Sequence, residues 1–262
     1  MTLDPDDRGF LLGDGLFETL LWSRAAFSRF EAHVARLTAG CAALGLPAPA
    51  RDELERAALA AIERAGLQGA RAAVRVTWTA GAGGRGLDRP DEPRPRLFAA
   101  AHPAPRPMGP ARLAVVGVRR NEGSPASRLK TLAYLDNVLA RRAARLAGAD
   151  EAVMLNNRGE VACAAAANLF WFDGEVLATP ALACGALDGI TRRAVLAAAR
   201  ALGLETHEVR ATMADLARAS GLFLTNSLIG LQPAAALDGR PITPHPAVAA
   251  LVTRLGDEGA GV

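Results

Sequence analysis

Apolar residues recur along this chain with two periods, one of about two and one of three to four, and the switches between them mark out elements. Residues 16–22 read as a strand that follows a turn at Gly13-Asp14-Gly15. Residues 31–44 have helical spacing and stop near Gly45, and residues 51–65 make a second helix closed by Gly66. Residues 72–79 alternate as a strand and run into Gly81-Ala82-Gly83-Gly84-Arg85-Gly86; residues 97–101 form another strand. Prolines crowd residues 102–110, which read as a linker. Beyond it come a strand at 113–118, a polar loop to Ser127 and a helix over 133–147. Short strands are predicted at 151–156, 168–172 and 176–178, then a strong helix over 191–202 introduced by Gly189. A strand at 206–210, a short helix at 213–219, a buried strand at 221–225 and a terminal helix at 244–255 complete the pattern. Interleaved strands and helices on either side of a linker predict an α/β or α+β protein with two lobes: residues 1–103, a linker at 104–110, and residues 111–262.

Composition removes several classes. With 50% hydrophobic and 22% charged residues the chain is not disordered. The charge-free run at 161–172 is shorter than the ~20 residues of a membrane helix. Acidic residues stand at the start where a signal peptide would be basic, so a cytoplasmic protein is expected. Cys41, Cys163 and Cys184 lie far apart and the four histidines are scattered, so neither a disulfide framework nor a metal site is indicated. The net charge of +3 is dispersed, and Arg141, Arg142 and Arg145 read as a solvated helix face rather than a nucleic-acid footprint.

The cations carry more information. Among 30 Lys and Arg residues there is a single lysine, Lys130. Arginine cannot become a neutral nucleophilic amine near pH 7, whereas lysine can, so this residue is a candidate for Schiff-base chemistry as well as for a surface survivor. Tyr134, the only tyrosine, follows four residues later and would share its face if the segment were helical.

Gly189-Ile190-Thr191 opens a helix, and free N–H groups there make an anion site or, equally, an ordinary cap. Thr225-Asn226-Ser227 offers further donors at a strand end, and Arg36 could grip a phosphate in bidentate fashion. The glycine-rich stretch at 81–86 is neither a Walker loop nor a dinucleotide fingerprint. It reads as a flexible turn presenting Arg85 to an anion.

In this order, the segments Asp7-Arg8-Gly9, Gly13-Asp14-Gly15-Leu16-Phe17-Glu18-Thr19, His33-Val34-Ala35-Arg36-Leu37, the 81–86 turn, Leu129-Lys130-Thr131, the stretch at 148–155, Asn168-Leu169-Phe170, Gly189-Ile190-Thr191-Arg192 and Thr225-Asn226-Ser227 resemble the fold-type IV pyridoxal-phosphate enzymes, or class IV aminotransferases. The resemblance covers nearly the whole chain. It implies an α+β, D-amino-acid aminotransferase-like fold of two α/β lobes with pyridoxal 5'-phosphate between them, a small amino substrate, and a homodimer. It implies that Lys130 holds the cofactor and then removes the substrate Cα proton. Arg36, the N–H groups of Ile190 and Thr191, and Ser227 are implied as the phosphate cup, Tyr134 as a partner of the cofactor's phenolic oxygen, and Arg85 as a substrate-carboxylate contact.

Two positions depart from the family pattern. Cys163 stands five residues before Asn168, where the family has a glutamate facing the pyridine nitrogen; Glu160 matches a variable turn instead. A thiol is a weaker partner unless the site lowers its pKa to give a thiolate. The first strand before Asp7 is nearly absent, and Leu12 replaces a frequent tyrosine. The 81–86 stretch and the compact length lean toward 4-amino-4-deoxychorismate lyase, releasing 4-aminobenzoate and pyruvate. A D- or branched-chain amino-acid aminotransferase is the alternative, and a degenerate, non-catalytic homologue a more distant one.

Overall fold

The computed structural model describes residues 4–255. By contacts these divide into two compact units: residues up to Pro105 together with Leu129–Ala133, and Arg106–Arg128 together with residues from Tyr134 onward.

The first unit opens with α1 (Arg8–Leu12), capped by the Asp7 carboxylate and closed by Gly13 in the left-handed region. Then come β1 (Gly15–Ser23), β2 (Ala26–Phe27), α2 (Phe30–Leu44), α3 (Arg51–Arg64), β3 (Ala72–Thr79) and β4 (Arg96–Pro103). The strands form an antiparallel sheet in the order β2-β1-β3-β4. Even-numbered positions of β1 and β3, Leu16, Leu20, Trp22, Val74, Val76 and Trp78, share a core with Leu37 and Cys41 of α2 and with Leu54, Ala58 and Ile62 of α3. Glu18 has the same parity and is therefore carried onto that apolar face, where a carboxylate must find partners.

The second unit contains β5 (Ala111–Val115), α4 (Pro125–Arg128), α5 (Leu135–Leu146), β6 (Glu151–Leu155), β7 (Val161–Ala164), β8 (Asn168–Asp173) and β9 (Val176–Pro180). After a 3-10 turn follow α6 (Ile190–Ala201), β10 (Thr206–Val209), α7 (Met213–Arg218), β11 (Ser220–Asn226), β12 (Gly230–Leu237), β13 (Arg240–Pro241) and α8 (Ala247–Leu255). The strands build one mixed sheet in the order β10-β9-β8-β11-β12-β5-β6-β7, with β13 against β12. β6, β7, β8 and β11 read as near-continuous apolar runs because both of their faces are covered. α6 lays Val195, Leu196 and Ala199 against Phe170, Phe172 and Phe223, with Leu251 and Leu255 of α8 in the same cluster.

Some elements depart from the pattern read in the sequence. Residues 8–12, 161–164 and 230–237 form elements that local pattern does not announce. β12 contains Pro233 and a run of alanines, and it is a strand because it pairs with β11 on one side and β5 on the other. Lys130 and Tyr134 share no helix: Thr131 bridges Leu16 of β1, and α5 begins only after Tyr134, its N-cap.

Candidate functional site

The predicted residues fall into two groups, one in each unit. In the first, Lys130 is held by backbone pairing: the Phe17 N–H donates to its carbonyl at 2.9 Å, and the Leu132 N–H donates to the Gly15 carbonyl at 3.0 Å. Its side chain is half-buried and its Nζ lies 4.1 Å from the centroid of the Phe17 ring. Alternation along β1 sends the neighbouring Glu18 to the opposite face. There Arg36 of α2 donates through Nε to Glu18 Oε1 at 2.8 Å and through Nη2 to Oε2 at 2.7 Å. His33, three residues earlier on the same helix face, places Nδ1 2.7 Å from Oε2. Burial by itself would push the Glu18 carboxyl up, but Arg36 and then His33 outweigh it and hold it down to about 2. Burial lowers His33 below its ordinary value despite the pull of Glu18, so near neutrality it is a neutral imidazole whose Nδ1–H donates to a carboxylate. Glu18 thus fixes the plane of the Arg36 guanidinium. Sequence reasoning picked out Arg36 but not Glu18; the signal was an acid amid the apolar positions of β1.

Arg85, the remaining predicted residue of this unit, sits at an exposed turn where its backbone exchanges two hydrogen bonds with Asp88. The turn is tied to the rest of its unit. Buried Arg8 reaches into it and bonds several of its carbonyls.

In the second unit, Ile190 and Thr191 form the first turn of α6, where N–H groups have no partner within the helix. The N-cap is Gly189, which supplies no side-chain cap. A Cβ there would fall 2.0 Å from Asn168 Oδ1, so only glycine fits. Asn168 is fixed in turn by donating to the Leu187 carbonyl at 2.8 Å. Thr191 Oγ1 and Thr225 Oγ1, in residues 3% and 0% exposed, have no hydrogen-bond partner among the described residues. A buried hydroxyl without a partner costs about 1–3 kcal/mol, so these two atoms, with a bare helix start, fit the oxygens of a bound phosphate. Ser227 follows β11 in a turn organised by Asn226, whose Oδ1 accepts from the N–H groups of Leu228 and Ile229.

Cys163 lies on β7 opposite Met154, packed among Ala114, Val116, Ala140, Ala152 and Cys184. Burial pushes its thiol up to about 11, against a smaller downward pull from Arg120. The thiolate considered from sequence is therefore not what this environment favours; Cys163 is a neutral thiol near pH 7. Arg120, which sequence reasoning missed, is itself buried and donates to the Gly185 and Ser127 carbonyls and to Asn137 Oδ1. Asn137 passes the connection on by donating to the Ala165 carbonyl at 2.7 Å. Tyr134 stands at the N-cap of α5. Among the described residues no helix is long and apolar enough to cross a membrane.

Known proteins resemble this chain along most of its length. The sequence model of the amino-transferase class IV family matches residues 15–237. A Methanocaldococcus jannaschii protein provisionally described as a branched-chain-amino-acid aminotransferase is 34% identical over 242 residues, covering 90% of this chain and 83% of its own. The aminodeoxychorismate lyase of Bacillus subtilis is 28% identical over 234 residues, 88% of this chain and 80% of its own. A crystal structure from Legionella pneumophila, provisionally described as a 4-amino-4-deoxychorismate lyase, superposes with a TM-score of 0.90 at 28% identity, over 98% of this chain and 96% of the other. The chain belongs to the class IV aminotransferases and is a pyridoxal 5'-phosphate enzyme.

Proposed function

We propose that this enzyme is a 4-amino-4-deoxychorismate lyase, forming 4-aminobenzoate and pyruvate, and that it works as a cytoplasmic homodimer. Arg36, the N–H groups of Ile190 and Thr191, the Thr191 and Thr225 hydroxyls and Ser227 hold the phosphate. Lys130 carries the aldehyde carbon and then takes the substrate Cα proton. Tyr134 meets the phenolic oxygen, Cys163 the ring nitrogen, and Arg85 a substrate carboxylate. The bound cofactor supplies an electron-withdrawing ring that accepts the electron pair left by the departing proton. A neutral thiol does not reinforce that withdrawal as a carboxylate would. With a neutral thiol at this position the bound group would withdraw electrons less strongly, which disfavours amino transfer more than the expulsion of a substituent by a lyase. Exposed Phe10, Leu11 and Leu12 on α1 offer an apolar patch for the second subunit.

The observation that carries the lyase reading is the likeness to the Legionella protein along nearly all of both chains. The identity to the Methanocaldococcus protein favours a second reading, a branched-chain or D-amino-acid aminotransferase. Product analysis separates them. Release of 4-aminobenzoate from 4-amino-4-deoxychorismate is expected. Amino transfer from an amino acid to 2-oxoglutarate without that release overturns the lyase reading in favour of the second. If neither occurs and borohydride leaves Lys130 unlabelled in protein loaded with pyridoxal 5'-phosphate, the chain is a non-catalytic homologue.

A further inference from the structure

The turn that bears Arg85 is built from backbone that does not hold its own shape. Gly81, Gly83, Gly84 and Gly86 all have positive φ, from 58° to 106°, and each such glycine loses more conformational freedom on ordering than any other residue would. Its internal bonding among the described residues is the Arg85–Asp88 backbone pair, 3.1 Å in both directions.

Order comes from below. Arg8, 5% exposed, donates through Nη2 to the Leu87 carbonyl at 2.8 Å and through Nη1 to those of Asp88 at 3.0 Å and Gly86 at 3.2 Å, with Gly83 at 3.5 Å. Its Nε is spent on Asp14 Oδ2 at 3.0 Å. Asp14 is shared with Arg89, just past the turn, whose Nε donates to the same oxygen at 2.8 Å and which also bonds the Leu44 carbonyl. Gly84 passes so close that a Cβ there would stand 2.1 Å from the Asp88 carbonyl oxygen and 3.1 Å from Arg8 Nη1. The Arg85 side chain, by contrast, is exposed.

We propose that Arg8 is a positioning residue: its buried guanidinium sets the Gly83–Asp88 turn in the one shape that aims Arg85 outward, so that carboxylate recognition at this turn depends on a cation that touches no ligand. The mechanism is a pre-organised loop, in which ordering is completed on folding rather than at the expense of binding. This rests on the reading of Arg85 as a carboxylate contact, and the test keeps the two apart.

Hydrogen exchange of residues 82–88 is measured on the loaded enzyme alongside KM and kcat for 4-amino-4-deoxychorismate. Arg85→Ala is expected to raise KM about tenfold and leave exchange in the turn unchanged. Arg8→Gln is expected to speed that exchange about tenfold or more and to raise KM by a similar factor, with kcat within about twofold. Gly84→Ala distorts the turn while keeping Arg8 and Asp14, and is expected to do the same should Arg8→Gln fail to fold. If Arg85→Ala leaves KM unchanged, the carboxylate reading fails, and with it the recognition half of the proposal. If Arg85→Ala raises KM but loosening the turn by either variant does not, the positioning role is overturned. It is equally overturned if Arg8→Gln folds and the turn exchanges at the wild-type rate.

Discussion

Replacing Glu18 by glutamine converts a buried carboxylate into an isostere of its own protonated form, which makes the energetic role of the Glu18–Arg36–His33 group measurable. The carboxyl is held down from 4.5 to about 2. At 1.36 kcal/mol per pH unit, its ionisation contributes about 3 kcal/mol to folding at neutral pH. The sign follows from the direction of the shift: a lowered carboxyl stabilises fully above its ordinary value, and the contribution drains away as pH falls through 4.5 toward 2. Glu18→Gln is therefore expected to be less stable than wild type by about 3 kcal/mol at pH 7 and by roughly half of that near pH 3. Urea melts of both proteins without cofactor, from pH 7.5 downward, give the two curves. A gap that stays constant with pH, or that is below about 1 kcal/mol at pH 7, would refute the claim that Arg36 is held by an ionised Glu18. Cofactor titration of the same variant is expected to show weakened binding, because Arg36 loses the carboxylate that fixes its plane.

Other outcomes follow from other parts of the molecule. Thr191→Val and Thr225→Val each remove a buried hydroxyl without a partner among the described residues; melts without cofactor are expected to be unchanged or up by as much as about 1 kcal/mol, while pyridoxal 5'-phosphate affinity drops about tenfold in equilibrium titration. Gly189→Ala drives a methyl into Asn168 Oδ1 and is expected to cost about 1–3 kcal/mol in the same melts. Cys163, with its thiol pushed up to about 11, is expected to resist iodoacetamide at pH 8 in native protein and to label on unfolding, as peptide mass mapping would report. Lys130→Ala is expected to abolish turnover and the visible absorbance of the loaded enzyme.

How much of this was legible in the chain depends on whether the cause was local. The helices at Phe30–Leu44, Arg51–Arg64 and Ile190–Ala201 were readable because an amphipathic face repeats within the segment itself. β7 and β12 were not, since alanine has no strand preference of its own and their partners lie elsewhere in the chain. Lys130 stood out as the sole side-chain amine, and Thr191 by its place at a helix start. Glu18 and Arg8 were hidden for a common reason. Each acts on residues far along the chain, Glu18 on His33 and Arg36 and Arg8 on residues 83–88, and spacing carries no record of such encounters. The Cys163 thiol shows the converse: its identity was plain, but its protonation is a property of the surrounding cluster.

The two backbone hydrogen bonds that join Leu129–Ala133 to the start of β1 have a consequence for how this protein can diverge. They splint the Lys130 amine to the strand that carries Glu18, so the lysine's address is written in strand register rather than in chain length. Insertions and deletions upstream, in the Pro-rich stretch or the polar loop that follows β5, can accumulate without displacing it. A slip of one residue along β1, by contrast, turns Glu18 off its face and disconnects the amine in a single event.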